Sequence, residues 1–103
     1  MEMITQRIRN ELEIEVEENV DFTTSTDIEF YVVQGSLFFQ YTPEVITAKK
    51  IVVTIPKEDA MQLSNRKQVE MQFALTNATG NYVKSEISYI GVDRFLKEAG
   101  YGV

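Results

Sequence analysis

The sequence predicts an all-β chain, a β-sandwich of about six to seven short strands. Three observations carry that prediction. Apolar residues recur at period two in short runs, most clearly where Glu11, Glu13, Glu15 and Glu17 alternate with Leu12, Ile14 and Val16. That alternation is the mark of a strand with one buried face. Turn-forming residues bound the runs, as in Gln34-Gly35-Ser36, Thr42-Pro43-Glu44 and Asn77-Ala78-Thr79-Gly80-Asn81. Helical signals are confined to two short stretches, one turn after the fourth strand and a short helix at the C-terminus.

The elements follow in order. Residues 4–9 read as a short edge strand, and Asn10 as a bend before the acidic strand at 11–17. Glu18 to Thr26 is turn-rich, with Val20 and Phe22 set to plug the core. Asp27 to Gln34 is the next strand, with Ile28, Phe30 and Val32 on one face and Glu29, Tyr31 and Val33 on the other. A tight hairpin leads into Leu37–Tyr41, which ends at Pro43 because proline cannot donate to a ladder. Ile51, Val53 and Ile55 mark a strand at 50–55. Pro56 stops it and opens a helical turn over 57–63, with Met61 or Leu63 packing inward. Val69, Met71, Phe73 and Leu75 form the inner face of a fifth strand. Tyr82 to Val92 reads as one long sixth strand, with Val83, Ser85, Ile87 and Tyr89 sharing a face. Val92, Phe95, Leu96 and Ala99 then fall at helical spacing before Gly100, which predicts a helix at 93–99. The expected core is Leu12, Ile14, Ile28, Phe30, Val32, Leu37, Phe39, Ile51, Val53, Ile55, Val69, Met71, Phe73, Ile87 and Tyr89.

Residues 1–103 make a single domain of this kind, and the arrangement expected first is immunoglobulin-like, without the Cys…Trp…Cys hallmark of antibody domains. Hydrophobic residues are 44% of the chain, so a modest core is available and disorder is not expected. No cysteine or histidine occurs. Disulfides, thiol nucleophiles, Cys/His zinc sites and Ser-His-Asp triads are therefore excluded together. Met1-Glu2-Met3-Ile4 has no apolar run behind it, so neither a signal peptide nor a membrane span is expected.

Charge is lopsided. The net is −6, and residues 1–30 alone hold nine acids against Arg7 and Arg9. An acidic N-terminal third disfavours nucleic acid and anionic membranes as partners, and a basic protein surface is its complement. The stripe of Glu11, Glu13, Glu15 and Glu17 reads first as a solvated strand face needing compensating neighbours, and second as a docking surface. Glu17, Glu18, Asp21 and Asp27 lack the ordered spacing of a calcium loop, so no metal or other cofactor is expected. Paired carboxylates can hydrolyse glycosides, but nothing supplies a sugar cleft. Asn77-Ala78-Thr79 matches a glycosylation sequon and reads as a turn.

The aromatic residues, six Phe and five Tyr, exceed what one core face uses. Phe38 and Phe39 are adjacent on a strand and point to opposite faces. Tyr31 likewise opposes Phe30. Either both faces of that sheet are covered, the Phe38 face by the C-terminal helix or another chain, or tyrosines stiffen an open sheet surface, or Tyr31 and Phe38 belong to a protein interface, where aromatics concentrate.

Ile28-Glu29-Phe30-Tyr31-Val32-Val33-Gln34, Ile51 through Leu63, Val69-Glu70-Met71-Gln72-Phe73-Ala74 and Thr79-Gly80-Asn81 leading to Ser85 carry a resemblance. Over roughly residues 5–99 the chain resembles small proteins encoded in phages and prophages of Gram-positive bacteria. The resemblance implies an immunoglobulin-like, non-enzymatic component of a phage particle, at the capsid surface, neck or baseplate. Its partners would be phage structural proteins or its own copies within a larger assembly, and its location the virion or the host cytoplasm. A small acidic inhibitor that binds a host protein is the alternative. The motifs are structural, so no functional residue is carried over from the resemblance.

Overall fold

The structure is a computed structural model that describes residues 3–6, 9–16 and 20–93. Among the described residues it is mostly β, with antiparallel sheets and one short helix, an arrangement compatible with an all-β sandwich. The described strands are β1 (Ile4–Thr5), β2 (Asn10–Glu15), β3 (Thr26–Gln34), β4 (Leu37–Tyr41), β5 (Glu44–Thr47), β6 (Lys50–Ile55), β7 (Val69–Thr76), β8 (Tyr82–Lys84), β9 (Ser88–Ile90) and β10 (Val92–Asp93). Helix α1 (Lys57–Ala60) lies between β6 and β7. One antiparallel sheet has the order β2-β6-β5. The other runs β4-β3-β7-β8, with β9 also on β7. β1 pairs parallel with β10.

Both sheets contribute to one buried cluster. Leu12, Ile51, Val53 and Ile55 come from the first, and Phe30, Val32, Val69, Phe73, Leu75 and Ile90 from the second. All but Ile90 occupy the inward position of an alternating run, as the sequence predicts. Ile14, Ile28, Leu37, Phe39 and Met71 are half-buried against the cluster. Phe22 is fully buried from its loop and meets Phe73 edge-on, with ring centroids 5.5 Å apart. That loop is tied to the opposite hairpin by Phe22 N–H donating to Ala48 O at 2.8 Å. Of the two apolar residues that follow α1, Leu63 is buried and Met61 is exposed.

Several expectations need correction. Residues 44–47 form a strand that the sequence does not announce, because Glu44, Val45, Ile46 and Thr47 show no alternation and all are exposed. In the expected lead-in strand Ile4–Thr5 is the described strand, and residues 7 and 8 lie outside the described residues. Asn10 is a buried strand residue rather than a bend. Its side chain accepts from Thr5 N–H and donates to Thr5 O, both at 2.9 Å, and so replaces a ladder partner. Asp93 belongs to β10, and the rest of the expected helix at 93–99 lies outside the described residues.

The largest correction concerns the expected strand from Tyr82 to Val92, which is interrupted. Lys84 faces Ala74, whereas Ser88 faces Met71. Four steps along one strand thus match three along its neighbour. One extra residue exchanges the two faces of everything beyond it. Ile87 and Tyr89 are therefore exposed, not core, and Ile90 and Val92 are buried in their place. Ser85 supports the bulge: its N–H donates to Phe73 O at 2.9 Å, and its hydroxyl accepts from Phe73 N–H at 3.0 Å.

Candidate functional site

The outer face of the β4-β3-β7-β8 sheet gathers the exposed aromatics. Strand register builds it row by row. Phe38 of β4 faces Val33 of β3, which faces Glu70 of β7, which faces Tyr89 of β9. In the next row Gln40, Tyr31 and Gln72 stand side by side. Tyr82 projects from β8 opposite Thr76. Phe38 is 60% exposed, Tyr82 70%, Tyr89 57% and Ile87 49%, so four large apolar side chains stand in solvent on one sheet.

The tight β3–β4 turn fixes where Phe38 stands. Gln34 pairs with Leu37, leaving Gly35-Ser36 as a two-residue loop. Gly35 has φ +59 at the first central position, which fits a type II′ turn and favours glycine there. With that register pinned, Phe38 must face outward while Phe39 packs inward. The Tyr31 and Phe38 rings then meet at 5.8 Å, tilted by 32°.

Beside these rings lies a concavity of about 380 Å³, lined by Tyr31, Val33, Phe38, Glu70, Met71, Gln72, Tyr82 and Ile87. Its polar groups differ in how well they are satisfied. Tyr31 donates its hydroxyl to Glu29 Oε2 at 2.6 Å, and Gln40 Nε2 donates to the same oxygen at 2.6 Å. The Glu29 carboxylate makes ionisation of the Tyr31 phenol unfavourable, pushing its pKa up to about 12. Gln72 Nε2 donates to Ser85 O at 2.7 Å. The half-buried Glu70 side chain enters no hydrogen bond or ion pair among the described residues.

The acidic stripe lies on the other sheet. Glu11, Glu13 and Glu15 are exposed along β2, as expected for a strand's outer face, and Glu17 lies outside the described residues. Their compensating cations are Arg9, 2.8 Å from Glu11, and Lys50, 3.7 Å from Glu13 and 3.5 Å from Glu15. The sequence-derived candidates therefore divide into two places. Tyr31 and Phe38 come together, whereas the glutamates stand on a different sheet. Sequence reasoning missed Tyr82, Tyr89, Ile87 and Glu70 as companions of Tyr31 and Phe38.

Among the described residues no group of acidic side chains is placed to hold a metal ion, and no helix is long and apolar enough to cross a membrane. In the sequon, Asn77 Oδ1 accepts from Thr79 N–H at 3.1 Å and Asn81 N–H at 2.9 Å, the geometry of a side-chain-stabilised turn. Comparison with family models, curated proteins and solved structures finds no match.

Proposed function

We propose that this chain is a non-enzymatic structural and interaction module of a phage or prophage particle, bound to phage structural proteins or to its own copies. It acts in the virion or the host cytoplasm, without a cofactor, nucleic acid or membrane. Its fold is immunoglobulin-like. Supporting that part of the reading, β2-β6-β5 matches the order of strands B, E and D, and β8-β7-β3-β4 that of G, F, C and C′. The parallel β1–β10 pair joins the two chain ends as an edge strand does in such domains.

The observation that carries the interaction reading is the exposed set Phe38, Tyr82, Tyr89 and Ile87 on one sheet face. Contiguous apolar surface of this sort marks contact sites, and buried aromatics supply most of the energy at interfaces. Sedimentation of wild type against Phe38→Ser, with mass spectrometry of purified particles, tests it. The wild type is expected to self-associate or to enter particles, and the variant to lose that association while melting normally. A wild type that stays monomeric and is absent from particles would reject the proposal. The second reading, an acidic inhibitor of a host protein, is favoured by the exposed Glu11, Glu13 and Glu15.

A further inference from the structure

We infer that the concavity on the aromatic face receives an arginine side chain of a protein partner, with Glu70 as its counter-charge. The inference rests on the interface reading above and names the chemistry of what docks there. Three observations lead to it.

Glu70 is the first. It lies mid-sheet, half-buried between Val33 and Tyr89, with no hydrogen bond or ion pair among the described residues. Glu29, nearby on the same face, already receives two donors on one oxygen. Covering the face with a neutral partner would strand the Glu70 charge away from water, which is strongly unfavourable. A cation brought to Glu70 by the partner removes that cost.

The second observation is the wall around it. Tyr31, Phe38 and Tyr82 line the same concavity, and among the described residues no lysine or arginine does. Aromatic faces attract cations within about 6 Å. The planar guanidinium both stacks on rings and presents a fork of donors to a carboxylate, which an ammonium does not. The third is charge: the chain carries a net of −6, so a basic partner is drawn to it at long range.

The test uses the intact protein and two blocked tripeptides, leucyl-arginyl-leucine amide and leucyl-citrullyl-leucine amide, followed by amide chemical shifts. Citrulline keeps the planar shape and removes the charge. The arginine peptide is expected to shift the amides of Tyr31, Val33, Glu70 and Tyr89. It should bind about fivefold or more tighter than the citrulline peptide at low salt. Glu70→Gln should abolish that preference while leaving the melting temperature unchanged. Equal binding of the two peptides, no binding of either, or a preference that survives Glu70→Gln would overturn the inference. The interface reading fails separately: it falls if Phe38→Ser associates as wild type does, whatever the peptides do.

Discussion

Gln34 is the last residue of β3, points inward and is only 6% exposed. Its Nε2 donates to Ser64 O at 2.7 Å and to Lys67 O at 3.0 Å, and its Oε1 accepts from Ser64 N–H at 2.7 Å. One side chain thus pins the segment between α1 and β7 to the end of the sheet. Gln34→Leu keeps comparable bulk and removes all three bonds. At about 1 kcal/mol net each, and more for any group left buried and unpaired, the expected loss is about 2–4 kcal/mol. That is a large share of the roughly 5–10 kcal/mol available to a domain of this size. Gln34→Glu keeps the acceptor for Ser64 N–H but aims a carboxylate at two carbonyl oxygens. Burial and those oxygens favour the neutral carboxyl, so its folded pKa rises above the unfolded value of about 4.3. The native state then binds more protons than the unfolded state between those two values, and stability falls as pH rises through that window. Gln34→Glu should therefore be the weaker variant at neutral pH and recover on acidification toward its unfolded pKa. Urea unfolding followed by circular dichroism, at neutral and mildly acidic pH, measures both effects. A Gln34→Leu midpoint indistinguishable from wild type, or a Gln34→Glu protein with the pH dependence of wild type, would refute the reasoning.

Other outcomes can be checked with the same protein. Phe73→Ala should lose about 3–5 kcal/mol, because Phe73 is buried against Phe22 and the vacated space lies between the two sheets; a melting temperature within a few degrees of wild type would show that the core is misassigned. The Glu13→Lys, Glu15→Lys protein should fold within about 1 kcal/mol of wild type and assemble normally at low and high salt. Lost binding in a normally melting double variant would shift the function to the acidic inhibitor. Hydrogen bonding to Glu29 raises the Tyr31 pKa to about 12, so its stabilisation is complete below the unfolded value and is lost as pH rises through about 12. Difference titration of Tyr31→Phe against wild type in the ultraviolet should place this phenol among the late-ionising tyrosines, and Glu29→Gln should bring it down; a phenol unaffected by Glu29→Gln contradicts that account.

Much of the fold was legible because period two is a direct consequence of strand geometry. The inward sets of β2, β3, β6 and β7 were read from alternation alone, and the β3–β4 turn from Gly35. The stripe of Glu11, Glu13 and Glu15 was legible as a strand's outer face, and the neighbours it needed proved to be Arg9 and Lys50. β5 was not legible, since adjacent Val45 and Ile46 carry no alternation and Pro43 reads as a stop. Gln34 was visible only as a polar end to the inward series Phe30, Val32. Its partners in the 64–67 segment are set by tertiary approach, not by local pattern. Asp27 marks a similar limit. It lies in the irregularity between Thr26 and Glu29 with φ 51, a left-handed backbone that a residue at the start of an alternating run does not announce.

The candidate site was only half legible, and one residue is the reason. Tyr31 and Phe38 stand on strands whose register is fixed by a two-residue turn, so their outward direction follows from counting. Tyr89 does not follow from counting. Had β8 continued in the register that sets Lys84 opposite Ala74, Ser88 would stand beside Glu70 and Tyr89 would point into the core. The extra residue between Lys84 and Ser88 reverses this and sets Tyr89 beside Glu70. Ser85 satisfies the backbone of Phe73 where the ladder is broken, so the Phe73 N–H and carbonyl both keep partners. The same bulge that defeats the sequence pattern therefore completes the row Phe38, Val33, Glu70, Tyr89. It sets a carboxylate with no partner among the described residues between Val33 and Tyr89, which a solvated sheet face does not require and a basic partner can use.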